Sequence, residues 1–460
     1  MGGKRQKNQL LLAFMVDRRG EAPTSADEGT EPPAASCEPQ SPAATEHLME
    51  AICERENMVR AWKRVCSNRG GAGVDGLTIR QTHDYLVERW ASIREHLLAG
   101  TYRPHPVRRA EISKETGGMR KLGIPTVADR LIQQGVLQVL GPLWDPTFCE
   151  ESYGFRPGRS AHQAVAAAQE YLAAGRRWVV DIDLEKFFDR VNHDKLMGRV
   201  AGRVADKRLL RLIRAFLHAG VVVNGLVSPT IEGTPQGGPL SPLLSNIVLD
   251  DLDRELQRRD LRFVRYADDC NIYVRSRRAG QRVMASISRF ISRKLKLRVN
   301  QSKSAVARPW ERKFLGFSFT DHQEPKRRIS PQALKRFKTR IRQVTRRTRA
   351  VSLSQMIGDL APYLRGWRAY FGFCQTPHVL KGLDGWIRRR LRCVVWKQWK
   401  RGPTRYEQLR QRGVSAHLAA STAGSAHGPW RLSHSLALSR AMPTVLFHTL
   451  GLPTLMSADA

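Results

Sequence analysis

RFVRYADDCNIYV, residues 262–274, sets two short apolar runs on either side of Ala267-Asp268-Asp269. The runs are rich in β-branched and aromatic residues, so they read as paired strands joined by a tight turn with two carboxylates at its tip. Aspartate is common in turns, and an isolated pair would need no further explanation. Here both flanking runs read as buried strands, which seats the carboxylates on a rigid base. A second acidic cluster follows another apolar run: WVVDIDLEKFFD, residues 178–189. Asp183 closes that strand, and Phe187-Phe188 follow as the chain turns into something helical. Carboxylates gathered at strand ends repel one another unless a cation joins them. Mg²⁺ takes a few hard oxygen ligands and completes its shell with water and phosphate oxygens. Two such ions, about 4 Å apart, would stabilise both the attacking and the leaving oxygen of an in-line phosphoryl displacement.

Composition fits that chemistry. Of 460 residues, 77 are Lys or Arg and 42 are Asp or Glu, a formal charge of +35, while 41% are apolar. That much apolar character can bury a core, so the charge sits on folded surface, where its commonest counterpart is nucleic acid. The length suggests about three structural units. Charge is uneven: −3 over residues 1–50, +18 over 51–320 and +20 over 321–460. Residues 20–45 are rich in Pro, Ala, Thr and Glu, so 1–47 reads as a flexible extension. Leu48, Ile52, Val59 and Trp62 then recur at helical spacing, predicting one amphipathic helix that ends by Gly70-Gly71.

From about 100 to 320, β-branched runs (178–182, 263–266, 272–274) alternate with helix-like stretches such as 161–174 and 281–296, a mixed α/β or α+β pattern. Beyond about 328 the signal changes to helices dense in Arg and Lys with Trp between them, 335–349 and 387–401. No long period repeats, which argues against a solenoid. Seven cysteines without a C-x-x-C pair fit a reducing cytoplasm better than a disulfide framework or a zinc ribbon. The apolar run 10–16 is short and runs straight into Asp17-Arg18-Arg19, so neither a signal peptide nor a membrane span is expected.

Together these segments resemble the reverse transcriptases of group II introns. Asp183 with Phe188, GTPQGGPLSPLLSN at 233–246 and YADD at 266–269 stand in the order and spacing of reverse transcriptase motifs. RKLGIPTVADRLIQQ (120–134) and SYGFRPGRSAHQAV (152–165) resemble the fingers segments, and LKLRVNQSKS (295–304) and KFLGFSF (313–319) the later palm motifs. LRGWRAYFGF (364–373) is similar to the maturase segment, so the resemblance covers about 48–420. It implies an α+β right-hand polymerase, with fingers and palm built on antiparallel sheet at 48–322. An α-helical thumb/maturase domain at 323–420 and a small DNA-binding appendage at 421–460 would follow. A C-terminal endonuclease is not expected, since no cysteine follows Cys393. The implied activity is RNA-directed DNA polymerisation together with splicing assistance. The implied partners are group II intron RNA, a DNA primer or target and dNTPs, in a bacterial cytoplasmic ribonucleoprotein.

By position, the resemblance makes Asp183 and Asp268 ligands of two Mg²⁺ ions, helped by the Leu184 carbonyl, with Asp269 supporting them electrostatically and as a further ligand. Phe188 falls where such enzymes place a bulky side chain under the sugar of the incoming nucleotide, which implies a preference for dNTPs; of Phe187 and Phe188, one packs in the core. Gln236 lies in a Gly-rich loop whose backbone can approach a base pair closely. Lys114 and Arg120 match fingers positions that cradle the triphosphate, although Ser113 and Lys121 stand where prolines are usual. Lys303 would neutralise or protonate the pyrophosphate leaving group.

The basic helices supply the remaining candidates: Arg346, Arg347, Arg365, Arg388, Arg389, Arg390, Lys397 and Lys400, interleaved with Trp386, Trp396 and Trp399, most of which should be core. Phosphate contacts from such faces give salt-sensitive RNA binding with little base readout. Three other readings stay open: a splicing-only RNA chaperone, a domesticated reverse transcriptase in defence or repair, and an RNA-templated RNA polymerase, the last disfavoured by Phe188 and Ala267.

Overall fold

A computed structural model describes residues 45–113, 119–223, 226–228, 232–234 and 236–456. Ten strands are described: β1 (Val107–Ser113), β2 (Met119–Ile124), β3 (Trp178–Ile182), β4 (Val221–Val223), β5 (Leu226–Ser228), β6 (Arg262–Tyr266), β7 (Asp269–Val274), β8 (Ala305–Ala307), β9 (Phe317–Phe319) and β10 (Arg327–Ile329). They form a sheet of order β2-β1-β4-β5, a second of order β6-β7-β3-β8, and the ribbon β10-β9. The expectation of antiparallel sheet needs one correction, because β1 pairs with β4 in parallel.

The chain divides into two compact units, one of residues up to 164 with 179–306, the other of 165–178 with 307 onward. In the first, helix Val127–Trp144 is central. It starts where Thr126 caps it, accepting from the Asp129 N–H at 3.0 Å. Leu131, Ile132, Val136 and Leu140 along it are almost fully buried, each worth about 1.5–3 kcal/mol of transfer free energy. The single helix expected from Leu48 to the Gly70-Gly71 pair is two, Leu48–Cys53 and Arg55–Ser67. Glu54 breaks it with ψ 141°, an extended conformation that no Gly or Pro announces.

The second unit takes in 165–178 and the ribbon β10-β9 together with the helices. The reason is aromatic packing: Phe317 of β9 lies 5.3 Å from Phe371 and 5.6 Å from Tyr370, both on helix Leu353–Phe371, so the ribbon belongs with the helices. The last described residues pack onto the helices of the second unit. Leu432, Leu438, Met442, Phe447 and Leu455 are buried, Asp384 accepts from Thr454 Oγ1 and the Leu455 N–H, and Arg392 donates to the Met442 carbonyl. Trp396 and Trp399 are core residues as expected, 1% and 8% exposed, whereas Trp386 is half-buried. Among the described residues, no helix is long and apolar enough to cross a membrane.

Candidate functional site

β6 runs into β7 through the two-residue turn Ala267-Asp268, with Tyr266 and Asp269 as the last facing pair. Ala267 has φ 57°, a left-handed conformation that costs a residue with a Cβ about 1–2 kcal/mol. Arg265 holds it there. This side chain is fully buried, and all five of its N–H groups have partners. Nε and Nη2 donate to the two oxygens of Asp253 at 2.7 and 2.6 Å. Nη1 donates to Asn246 Oδ1 and to the Ala267 carbonyl, both at 2.9 Å, and Nη2 also to Ser152 Oγ at 2.6 Å. From the other side Gly154 presses on the turn, where a Cβ would stand 2.1 Å from the Ala267 nitrogen. Asn246 Nδ2 donates to the Gly154 carbonyl at 2.9 Å. The carboxylate turn is therefore clamped by SYG at 152–154 and SN at 245–246.

β3 is the sheet neighbour of β7. Asp183 follows the last residue of β3, and Asp269 is the first of β7. The charges of Asp181 and Asp269 both reach the Cys270 thiol, whose pKa burial pushes up. The Asp183 N–H donates to Ser304 Oγ at 3.0 Å, and its carbonyl accepts from the Asn300 N–H at 2.8 Å. Leu184 is buried and bridged to Val299. Lys303 Nζ lies 3.8 Å from Asp183 Oδ2. Asp183 and Asp268 are half-buried and Asp269 is exposed. Among the described residues, Asp183, Asp268 and Asp269 do not form a group with ligand atoms within 4.8 Å of one another; the group of three that does is Cys149, Asp250 and Asp253. That group is structural, because Asp253 gives both oxygens to Arg265 and burial pushes the Cys149 thiol up to about 12.

The Gly-rich loop ties the Phe188 backbone to the sheet of β1 and β2. The Thr234 N–H donates to the Phe188 carbonyl at 2.6 Å, and Gly233, at φ 97°, would place a Cβ 2.7 Å from that oxygen. His193 Nε2 donates to the Gly233 carbonyl at 2.6 Å, and burial lowers the pKa of the ring. At the far end the Gly123 N–H of β2 donates to the Gln236 carbonyl at 2.8 Å. Phe187 is buried with its ring edge-on to Phe188, centroids 5.2 Å apart, and Phe188 stays half-buried. Phe187 is thus the core partner of the pair. Arg120 lies on β2 opposite Ile112, and Lys114 falls outside the described residues.

Of the basic candidates, Arg346, Arg347, Arg365, Lys397 and Lys400 are exposed and Arg388 is half-buried. Two have internal work. Arg389 stacks 4.0 Å over the Trp430 ring and donates to its carbonyl, while Arg390 donates to Thr345 Oγ1 at 2.6 Å and to the Thr345 carbonyl.

Residues 112–319 match the reverse transcriptase (RNA-dependent DNA polymerase) family, and 334–413 match the group II intron maturase-specific domain. Protein YkfC of Escherichia coli K12 is 32% identical over 318 residues, covering 60% of this chain and 82% of that protein. The chain belongs to the group II intron reverse transcriptase/maturase family. Group II intron-encoded protein LtrA of Lactococcus lactis is 39% identical over 206 residues, 45% of this chain but 34% of LtrA. A putative COX1/OXI3 intron 2 protein of Saccharomyces cerevisiae is 32% identical over 46% of this chain and 25% of its own length. The chain thus spans about a third or less of those two relatives in alignment. Membership accounts for the architecture: fingers and palm of mixed α+β structure, then a helical thumb/maturase region. It does not account for the clamp of Arg265, Asp253, Asn246 and Ser152, which sequence reasoning missed. The signals for it were Arg265 following two apolar residues of β6 and an aspartate inside the helix Ser241–Arg258, with Ser152 and Asn246 inside quoted motif segments.

Proposed function

We propose that this chain copies RNA into DNA by two-metal phosphoryl transfer and binds its intron RNA as a splicing maturase. The observation that supports the polymerase reading is the clamped Ala267-Asp268 turn on β6–β7, in one sheet with the β3 strand that Asp183 directly follows. The donor set fits Mg²⁺, since Asp183, Asp268, Asp269 and the Leu184 carbonyl offer only hard oxygen ligands. When bound, two such ions supply charge stabilisation at the attacking and leaving oxygens. The chain's own side chains do the rest. Lys303, beside Asp183, neutralises charge at the departing pyrophosphate. Lys114 and Arg120 cradle the triphosphate. Gln236, on a loop anchored at both ends, fits against the nascent base pair, and the Phe188 ring closes the space a 2′-hydroxyl would occupy. The exposed Arg346, Arg347, Arg365, Lys397 and Lys400 take RNA phosphates, with Arg388 beside them.

A primer-extension assay tests this reading. RNA template, DNA primer and Mg²⁺ are supplied with dNTPs or rNTPs to wild type, Asp268→Ala and Phe188→Ala. Wild type should extend with dNTPs far better than with rNTPs, and Asp268→Ala should be inactive. Phe188→Ala should narrow the sugar preference by about 1–3 kcal/mol, the worth of a modest steric contact. An active Asp268→Ala protein would sink the metal assignment, and equal use of rNTPs by wild type would sink the sugar gate.

A further inference from the structure

Phe155 combines two costs that a folded chain normally avoids. Its backbone sits at φ 61°, in the left-handed region, and its side chain is 52% exposed. A bulky residue in that region is an outlier, and such strain persists only where the surroundings over-determine it. Both neighbours do so here. Gly154 is wedged under the acidic turn, where a Cβ would meet the Ala267 nitrogen at 2.1 Å. Arg156 is anchored by four hydrogen bonds, from Nε to Asp145 Oδ1, Nη1 to the Cys149 and Ser152 carbonyls, and Nη2 to the Asp145 carbonyl. Between two fixed points the chain has one way to go, and it presents an aromatic ring to solvent one residue from the contact with the turn. Among the described residues no other aromatic ring or guanidinium stacks on it: Phe187 and Phe188 pair with each other, and Arg156 stacks over Phe148.

We infer that Phe155 is a nucleic-acid contact, a ring that stacks on a base or sugar of the primer–template duplex as it lies across the acidic turn. The chemistry favours this occupant over any other. The surroundings belong to a chain of formal charge +35, whose general attraction for nucleic acid needs no aromatic group. A rigid exposed ring adds what charge cannot: a flat surface that positions a base whatever its identity. The inference rests on the polymerase reading for the location of the duplex, but its test does not depend on catalysis.

The test measures equilibrium binding of a fluorescent DNA primer annealed to an RNA template, without dNTPs, to the full chain and to Phe155→Ala, Phe155→Asn and Phe155→Trp. Melting temperatures are recorded for each. Stacking lost from one base predicts a Kd about 5- to 100-fold weaker for the Ala and Asn variants. The Trp variant should bind within about twofold of wild type, because every base can stack on its larger face. Phe155→Asn should melt no lower than wild type, since Asn tolerates positive φ. Unchanged affinity in Phe155→Ala overturns the inference, as does a variant set in which affinity merely follows melting temperature, which would mark a packing residue. The two proposals fail separately. A wild type that cannot extend primers while Phe155→Ala still binds weakly sinks the polymerase reading alone, whereas extension by wild type with unaltered binding by Phe155→Ala sinks the ring contact alone.

Discussion

Arg265 shows how one side chain can join stability to function. Its guanidinium and the Asp253 carboxylate are both fully buried and paired through two bonds. A pair of that kind adds little net stability over an apolar replacement, yet breaking it strands a charge in the interior. Arg265→Met should therefore destabilise the first unit by about 3–5 kcal/mol in urea unfolding. Pairing it with Asp253→Leu removes the stranded charge and should restore most of that loss. Primer extension should stay impaired in the double variant, because the donor to the Ala267 carbonyl is still missing. Recovery of both properties together would show that the arginine serves packing only. None of this was legible beforehand. The two aspartates of the turn could be read because chemistry selects their type and spacing. The clamp depends on Ser152 and Asn246, which open and close two of the quoted motif segments, but they lie far apart along the chain and nothing in either segment says that they meet at Arg265.

At the scale of elements, legibility followed periodicity. Val179, Val180 and Ile182 of β3, like Phe263 and Val264 of β6, are strongly apolar and buried, so their strands could be read directly. β1 is Val-Arg-Arg-Ala-Glu-Ile-Ser, with Ile112 exposed, and neither its alternation nor its charge marks a strand. β4 and β5 are too short to carry a period at all. Caps were more readable than breaks. Asp206 begins helix Lys207–His218 by accepting from the Arg208 and Leu209 N–H groups, and it also accepts from Met49. Burial raises the pKa of this carboxyl, but the Arg208 side chain and the three N–H donors more than offset that and hold it below the usual aspartate value. A folded pKa below the unfolded one means that stability is present above about pH 3.9 and is lost as pH falls through the lower folded value. The melting temperature of wild type should thus decline on acidification below about pH 4. Asp206→Asn should be weaker by about 2 kcal/mol at neutral pH and show a flatter decline in that acid window. An equally steep acid limb in the variant would assign the titration to other carboxylates, Glu50 first among them, since its bond to Arg208 also lowers its pKa.

Over the whole molecule, the excess of positive charge separates two kinds of basic residue that look alike in a sequence. Residues 321–460 carry +20, and a charge run does not say which members face water. Arg389 and Arg390 are spent inside the second unit on Trp430 and Thr345, and burial lowers the pKa of Arg390. Arg346, Lys397 and Lys400 are exposed and free to release counterions from a polyanion, whereas Arg347, exposed as well, also bonds to Cys393. The distinction is measurable because the two kinds act on different observables. Binding of structured RNA should weaken steeply between low and physiological salt, as log Kd follows log salt with a slope set by the number of phosphates neutralised. Each exposed residue replaced by Ala should reduce that slope by about 1 at most, so Lys397→Ala with Lys400→Ala should reduce it by about 2, with little change in melting temperature. Arg390→Gln should do the reverse, lowering the melting temperature through its lost bonds to Thr345 while leaving the slope within about 0.5 of wild type. A slope that falls equally for buried and exposed substitutions would mean that RNA reorganises the second unit on binding, and that the burial seen in the free chain does not govern its contacts.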